Sequence, residues 1–167
     1  MSTLELPALY VDSVALVAAT PRLVLVNRDP SPGESGVPID ATLALELVDT
    51  GPDGVERSTA RVWIDGVLAF DGSALPELAP AFAGPLASVT QTTDTLRLVL
   101  YPVVPLASLA TVHVRVLAQT VGGAAALDEV YSFVVEDRTA PRVVGAQALA
   151  QRTVRVGFDE PVLVPSG

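Results

Sequence analysis

Apolar and polar residues alternate with a period of two along most of this chain, the pattern of half-buried β-strands. In residues 42–48, Leu43, Leu45 and Leu47 fall on one face, with Ala44 and Glu46 on the other. The same alternation sets Leu96, Leu98 and Leu100 together in 95–101, Val112, Val114 and Val116 in 111–117, and Tyr131, Phe133 and Val135 in 128–136. Further strands are predicted over 22–27, 60–64, 67–70 and 88–91. Asp65-Gly66 between 60–64 and 67–70 marks a tight hairpin, because that pair accepts the positive φ angles a two-residue turn requires. Pro- and Gly-rich stretches at 29–38, 49–54 and 71–86 read as loops, residues 102–110 cross over, and 121–123 turn the chain. No helical period is present beyond single turns at 81–87 and 106–110.

Around residues 131–142 the pattern breaks and restarts. The strand ending at Val135 gives way to Glu136, Asp137, Arg138 and Thr139, and Pro141 keeps Ala140 extended. A second alternating pattern follows over 143–149 and 153–158, where Val154, Val156 and Phe158 share a face. This is a seam between two β-modules. Three divisions follow: an apolar N-terminal arm, 1–20; a β-sandwich of seven to eight strands, 21–137; and a linker with the first strands of a second module, 138–167. Two strands do not bury a core by themselves, so the natural chain continues or this tail pairs with something else. The arm carries Leu4, Leu6, Leu9, Tyr10 and Val11. It is read either as an extra strand or strap across its own domain, or as an extended segment that docks on a neighbouring subunit.

Composition narrows the function classes. Half of the 167 residues are hydrophobic and 17% are charged, enough apolar material for a core. The net charge of −9 disfavours nucleic acid and anionic lipid as partners. All basic residues are Arg. The absence of Cys removes disulfides, thiolate nucleophiles and cysteine metal sites. No apolar run is long enough to insert in a membrane as a helix, and the leading residues, taken as the true start, carry no export signal.

Candidate chemistry is sparse. The single His113 alternates with Val112 and Val114 onto the polar face, and with no Cys and no second His there is no dyad to build. No catalytic residues are assigned, and the protein is read as non-enzymatic. Trp63 admits two registers. With Val62 and Ile64 inward, Trp63 and Arg61 face outward and form a contact patch of the residue types that dominate interfaces. In the opposite register, Trp63 is the buried tryptophan of a sandwich. Tyr101, with Arg97 and Val99, is a second outward candidate.

A family resemblance rests on Asp137-Arg-Thr-Ala-Pro-Arg-Val-Val144 followed by Arg152-Thr-Val-Arg-Val-Gly-Phe-Asp-Glu-Pro161. This looks like the opening of a bacterial immunoglobulin-like module: a polar-Pro linker, a Val-rich strand, a turn, and a strand ending in an aromatic residue, an acid and Pro. The preceding domain, with Asp29-Pro-Ser-Pro-Gly33, Asp65-Gly66 and Tyr131-Ser-Phe133, resembles tandem Ig-like or cadherin-like repeats of bacterial surface proteins and of phage tail or fibre proteins. The resemblance covers about residues 21–163. It implies an all-β, immunoglobulin-like sandwich serving as a structural, non-enzymatic part of a phage virion. The partners are then other virion proteins, further copies of the chain within a larger assembly, and a host glycan or receptor. The alternatives are a bacterial cell-surface adhesin module and an accessory domain of a polysaccharide-acting enzyme. Junctions in such repeats sometimes hold calcium, for which the acids at hand are Asp128, Glu129, Glu136, Asp137, Asp159 and Glu160. Their plain reading is solvated carboxylates at strand ends, and Val121-Gly-Gly-Ala-Ala-Ala126 lacks the acid and Asn that many relatives carry in the turn before the last strand.

Overall fold

A computed structural model describes residues 22–162, which form eleven strands and two short 3-10 turns. The strands are β1 (Leu23–Asp29), β2 (Ser35–Val37), β3 (Leu43–Asp49), β4 (Val55–Ile64), β5 (Val67–Asp71), β6 (Ser88–Gln91), β7 (Thr95–Leu100), β8 (Thr111–Thr120), β9 (Ala126–Val135), β10 (Val143–Ala150) and β11 (Thr153–Phe158). Four strands pair in the order β1-β3-β7-β6 and five in the order β2-β9-β8-β4-β5. The two sheets face each other across one core, so the chain is an all-β sandwich. A separate two-stranded sheet, β10-β11, follows it.

The alternation in the sequence is what fills the core. On the four-stranded sheet the inward leucines pair directly across the strands: Leu43 with Leu100, Leu45 with Leu98, and Leu47 with Leu96. All six are essentially inaccessible. On the five-stranded sheet, Val62 lies opposite Val116, Ile64 and Tyr131 flank Val114, and Val112 opposes Phe133. Each fully buried Leu, Val or Phe contributes roughly 1.5–3 kcal/mol relative to exposure, which makes these two inner faces the main source of stability.

Several strands, β4 and β8 above all, are longer than the alternation predicts. β4 begins at Val55 rather than near residue 60, because a bulge interrupts its period. Glu56 pairs with Gln119 and Arg61 with Leu117, so residues 57–60 stand against Ala118 alone. Thr59 Oγ1 accepts the Gln119 amide at 2.9 Å, which pins the bulge. β2 forms within the predicted loop 29–38 and pairs parallel to β9. Three residues are too few to show a period, and Gly36 has φ +74°. The hairpin at Asp65-Gly66 forms as expected, with φ 49° and 78°.

The loop after β3 is organised by one buried carboxylate. Asp49, 4% exposed, accepts the amides of Gly51 (2.9 Å) and Gly54 (2.7 Å). Gly54 has φ +81°, and a Cβ there would lie 2.5 Å from the Thr93 carbonyl oxygen. No side chain fits this position without moving backbone.

Candidate functional site

The outer face of the five-stranded sheet carries the most distinctive surface chemistry. With Val62 and Ile64 inward, Trp63 projects to the outside and is half-buried. The pairing register builds a row across four strands: Leu68 on β5, Trp63 on β4, Arg115 on β8 and Val130 on β9. Leu68 is 37% exposed and Val130 61%. The next row is Asp71, Arg61, Leu117 and Asp128. Arg115 lies with its guanidinium carbon 5.6 Å from the Trp63 ring centre. It donates from Nε and Nη2 to the two Asp128 oxygens at 2.9 and 2.8 Å. That bidentate grip holds the Asp128 carboxyl below its ordinary value and raises Arg115 further. Arg61 pairs with Asp71 at 3.1 Å.

Two shallow depressions mark this face. One, of about 370 Å³, is lined by Trp63, Gly66, His113 and Val130 among others. The other, of about 390 Å³, lies over Thr59, Leu117, Gln119 and Asp128. At the hairpin tip, Asp65 accepts the His113 amide at 2.8 Å, tying the β4–β5 turn to β8. His113 itself is exposed.

The structure brings Trp63 and Arg61 together on this face. Tyr101 lies elsewhere, just after β7 of the other sheet, where it is half-buried and its ring covers Gly84. Leu4, Leu6, Leu9, Tyr10 and Val11 lie outside the described residues. Arg115, Leu68 and Val130 were not singled out by sequence reasoning. Arg115 alternates outward between Val114 and Val116, which the sequence shows, but its pairing with Trp63 rests on the register between β4 and β8, which are far apart in the chain.

The acidic residues considered for calcium fall into separate places, with Asp137, Asp159 and Glu160 together at the start of the second hairpin and the others apart from them. Asp128 and Glu129 lie at the start of β9 and are engaged by Arg115 and Arg28, whereas Glu136 follows the end of that strand and accepts Arg138 Nε at 2.8 Å. Among the described residues, no group of three or more His, Asp or Glu is placed to hold a metal ion. No helix among them is long and apolar enough to cross a membrane.

The seam is a hydrogen-bonded link. The Glu136 amide donates to the Val37 carbonyl at 2.8 Å. Ser108 Oγ accepts the Arg138 amide at 2.8 Å, and Asp137 accepts the Thr139 amide at 2.8 Å. Beyond it, Asp159 Oδ1 accepts the Arg142 amide at 2.8 Å, and the Asp159 amide returns to the Arg142 carbonyl, which closes the base of the β10–β11 hairpin. Glu160 packs beside Asp137. Partial burial, the Asp137 charge and their hydrogen bond raise the Glu160 carboxyl above its ordinary value. Every residue of β10 and β11 is exposed.

No family model matches the chain, and no curated protein matches it in sequence.

Proposed function

We propose that this chain is a non-enzymatic structural subunit of a bacteriophage virion, an immunoglobulin-like module of a tail, fibre or other exterior part. The observation that carries the reading is the seam. One sandwich passes through a short linker, tied down at Ser108, Glu136 and Asp137, directly into a second β-unit. Modules strung end to end in this way suit an elongated exterior component. The strand order supports the Ig-like assignment. β1, β3, β7 and β6 take the places of strands A, B, E and D, and β9, β8 and β4 those of G, F and C. The virion setting comes from the resemblance to tandem repeats of phage tail and fibre proteins, and fold alone does not choose it.

The test is co-sedimentation. Particles and cell envelope from the source are separated on a density gradient, and the chain is detected by peptide mass spectrometry. A fixed stoichiometry with phage-like particles supports the virion. Recovery with the envelope instead makes it a bacterial surface module.

A further inference from the structure

We infer that the outer face of the five-stranded sheet is a self-association surface that pairs with the same face of a second copy of this chain. The inference extends the structural reading to a specific contact and stands whether or not the source is a virion.

The argument begins with charge. The chain carries a net charge of −9, so two copies repel through most of their surfaces. The outward positions around Trp63 are an exception. Arg61 and Arg115 are matched there by Asp71 and Asp128, which leaves Asp65 at the hairpin tip as the one acid in excess, so the face carries far less net charge than the chain as a whole. It also presents three apolar side chains, Leu68, Trp63 and Val130, in one row with Arg115. An aromatic–Arg centre within a partly apolar patch of low net charge has the composition of an interface core.

The face is also self-complementary. Arg115 and Asp128 are diagonal neighbours, and the side chain of each remains about half exposed, 50% and 53%. Their mutual bonds leave Asp128 with unused lone pairs and Arg115 with unused N–H groups. When two such faces meet about a twofold axis, Arg115 of one copy approaches Asp128 of the other, and the four charges alternate in sign. An isologous contact requires a patch of this kind.

Size sets the strength. Four strands at about 4.8 Å spacing and six or so residues of strand length give a patch of roughly 20 by 20 Å, about 400 Å² per copy and about 800 Å² in total, the size of a weak, transient contact rather than of a stable interface. The contact is therefore weak for an isolated pair, with a dissociation constant on the order of 10–100 µM. It becomes effective where copies are held side by side at high local concentration.

The experiment is sedimentation equilibrium of the full chain at physiological salt, over about 5 to 500 µM so as to bracket that affinity. The expected result is a reversible monomer–dimer equilibrium, the monomer being 17.3 kDa. The variants Arg115→Asp and Asp128→Arg each place like charges in apposition. Each alone should weaken dimerisation tenfold or more, and an equimolar mixture should restore it to within about threefold of wild type, because opposite charges then meet. Val130→Glu, at an exposed position that leaves the Arg115–Asp128 pair intact, should also be monomeric, with an unchanged circular dichroism spectrum. A wild type that stays monomeric throughout, a Val130→Glu variant that dimerises normally, or charge-reversed variants that fold but do not recover on mixing would each overturn the inference.

Discussion

The Arg115 guanidinium stacks over Trp63, its carbon 5.6 Å from the ring centre, and is locked there by both oxygens of Asp128. Trp63 is the only tryptophan, so its fluorescence reports this cluster alone. Hydrogen bonding to Arg115 lowers the Asp128 carboxyl from its ordinary 3.8. A depressed carboxyl contributes stability that is fully present above the unfolded value and is lost as pH falls through the folded one. Emission should therefore hold steady from neutral pH to about 5 and change only below about 4. In Asp128→Asn, that acid step should vanish. A wild-type transition above pH 5, or one unchanged in the Asn variant, would count against the assignment.

Asp49 is buried, and its two oxygens serve the amides of Gly51 and Gly54. Asp49→Ala leaves both amides without their acceptor and should cost about 2–4 kcal/mol, with Asp49→Asn costing less because one acceptor oxygen remains. Urea unfolding checks both. A loss of less than about 1 kcal/mol in Asp49→Ala would show that the loop does not depend on these bonds.

Phe133 and Phe158 are both strand aromatics in the same alternating context, but the first is fully buried and the second is 38% exposed. Phe133→Ala should destabilise the sandwich by about 3–5 kcal/mol through cavity formation. Phe158→Ala should leave the main unfolding midpoint within about 0.5 kcal/mol of wild type. Comparable effects from the two would contradict the placement of β11 outside the core.

The Tyr131 hydroxyl is buried and has no hydrogen-bond partner among the described residues. Burial raises its pKa, while the nearby Arg28, stacked 5.6 Å from the ring centre, acts in the opposite sense. Tyr131→Phe removes an unsatisfied polar group and keeps the ring, so stability should be unchanged or rise by about 1 kcal/mol. A loss greater than about 1 kcal/mol in thermal unfolding would mean that the hydroxyl does bond in solution.

The sandwich core was legible because burial on one face imposes a period of two that no loop imitates over seven residues. Leu43, Leu45 and Leu47 show it, as do Val112, Val114 and Val116. The same logic placed Val62 and Ile64 inward in one of two open registers. The three residues of β2 are too short to carry a period, and their partner is ninety-odd residues away at Val134 and Val135. The bulge at residues 57–60 breaks the pattern of β4, and the row from Leu68 to Val130 depends on a pairing of β4 with β8 across some fifty residues of chain and on a register shift between Val62 and Trp63 against β5. Contact across a sheet depends on register, and register depends on bulges that composition does not announce. The sequence therefore yields the pair Trp63 and Arg61, where the structure holds a row that runs on through Arg115 to Val130.

The parallel pairing of β2 with β9 has a mechanical consequence. Arg22 leaves the sandwich beside Thr50, at the pole where Ala125 meets Thr120, whereas Glu136 leaves beside Val37 at the opposite pole. Tension between the two ends therefore runs along the strand axes. It drives β2 and β9 past each other and drags β1 lengthwise along β3, so the bonds in each ladder are strained together in shear. Peeling, in which they give way one at a time, requires a pull across the strands. A module gripped at its two poles, as one link in a chain of modules, is thus oriented to resist stretching in the direction in which a neighbouring link would pull.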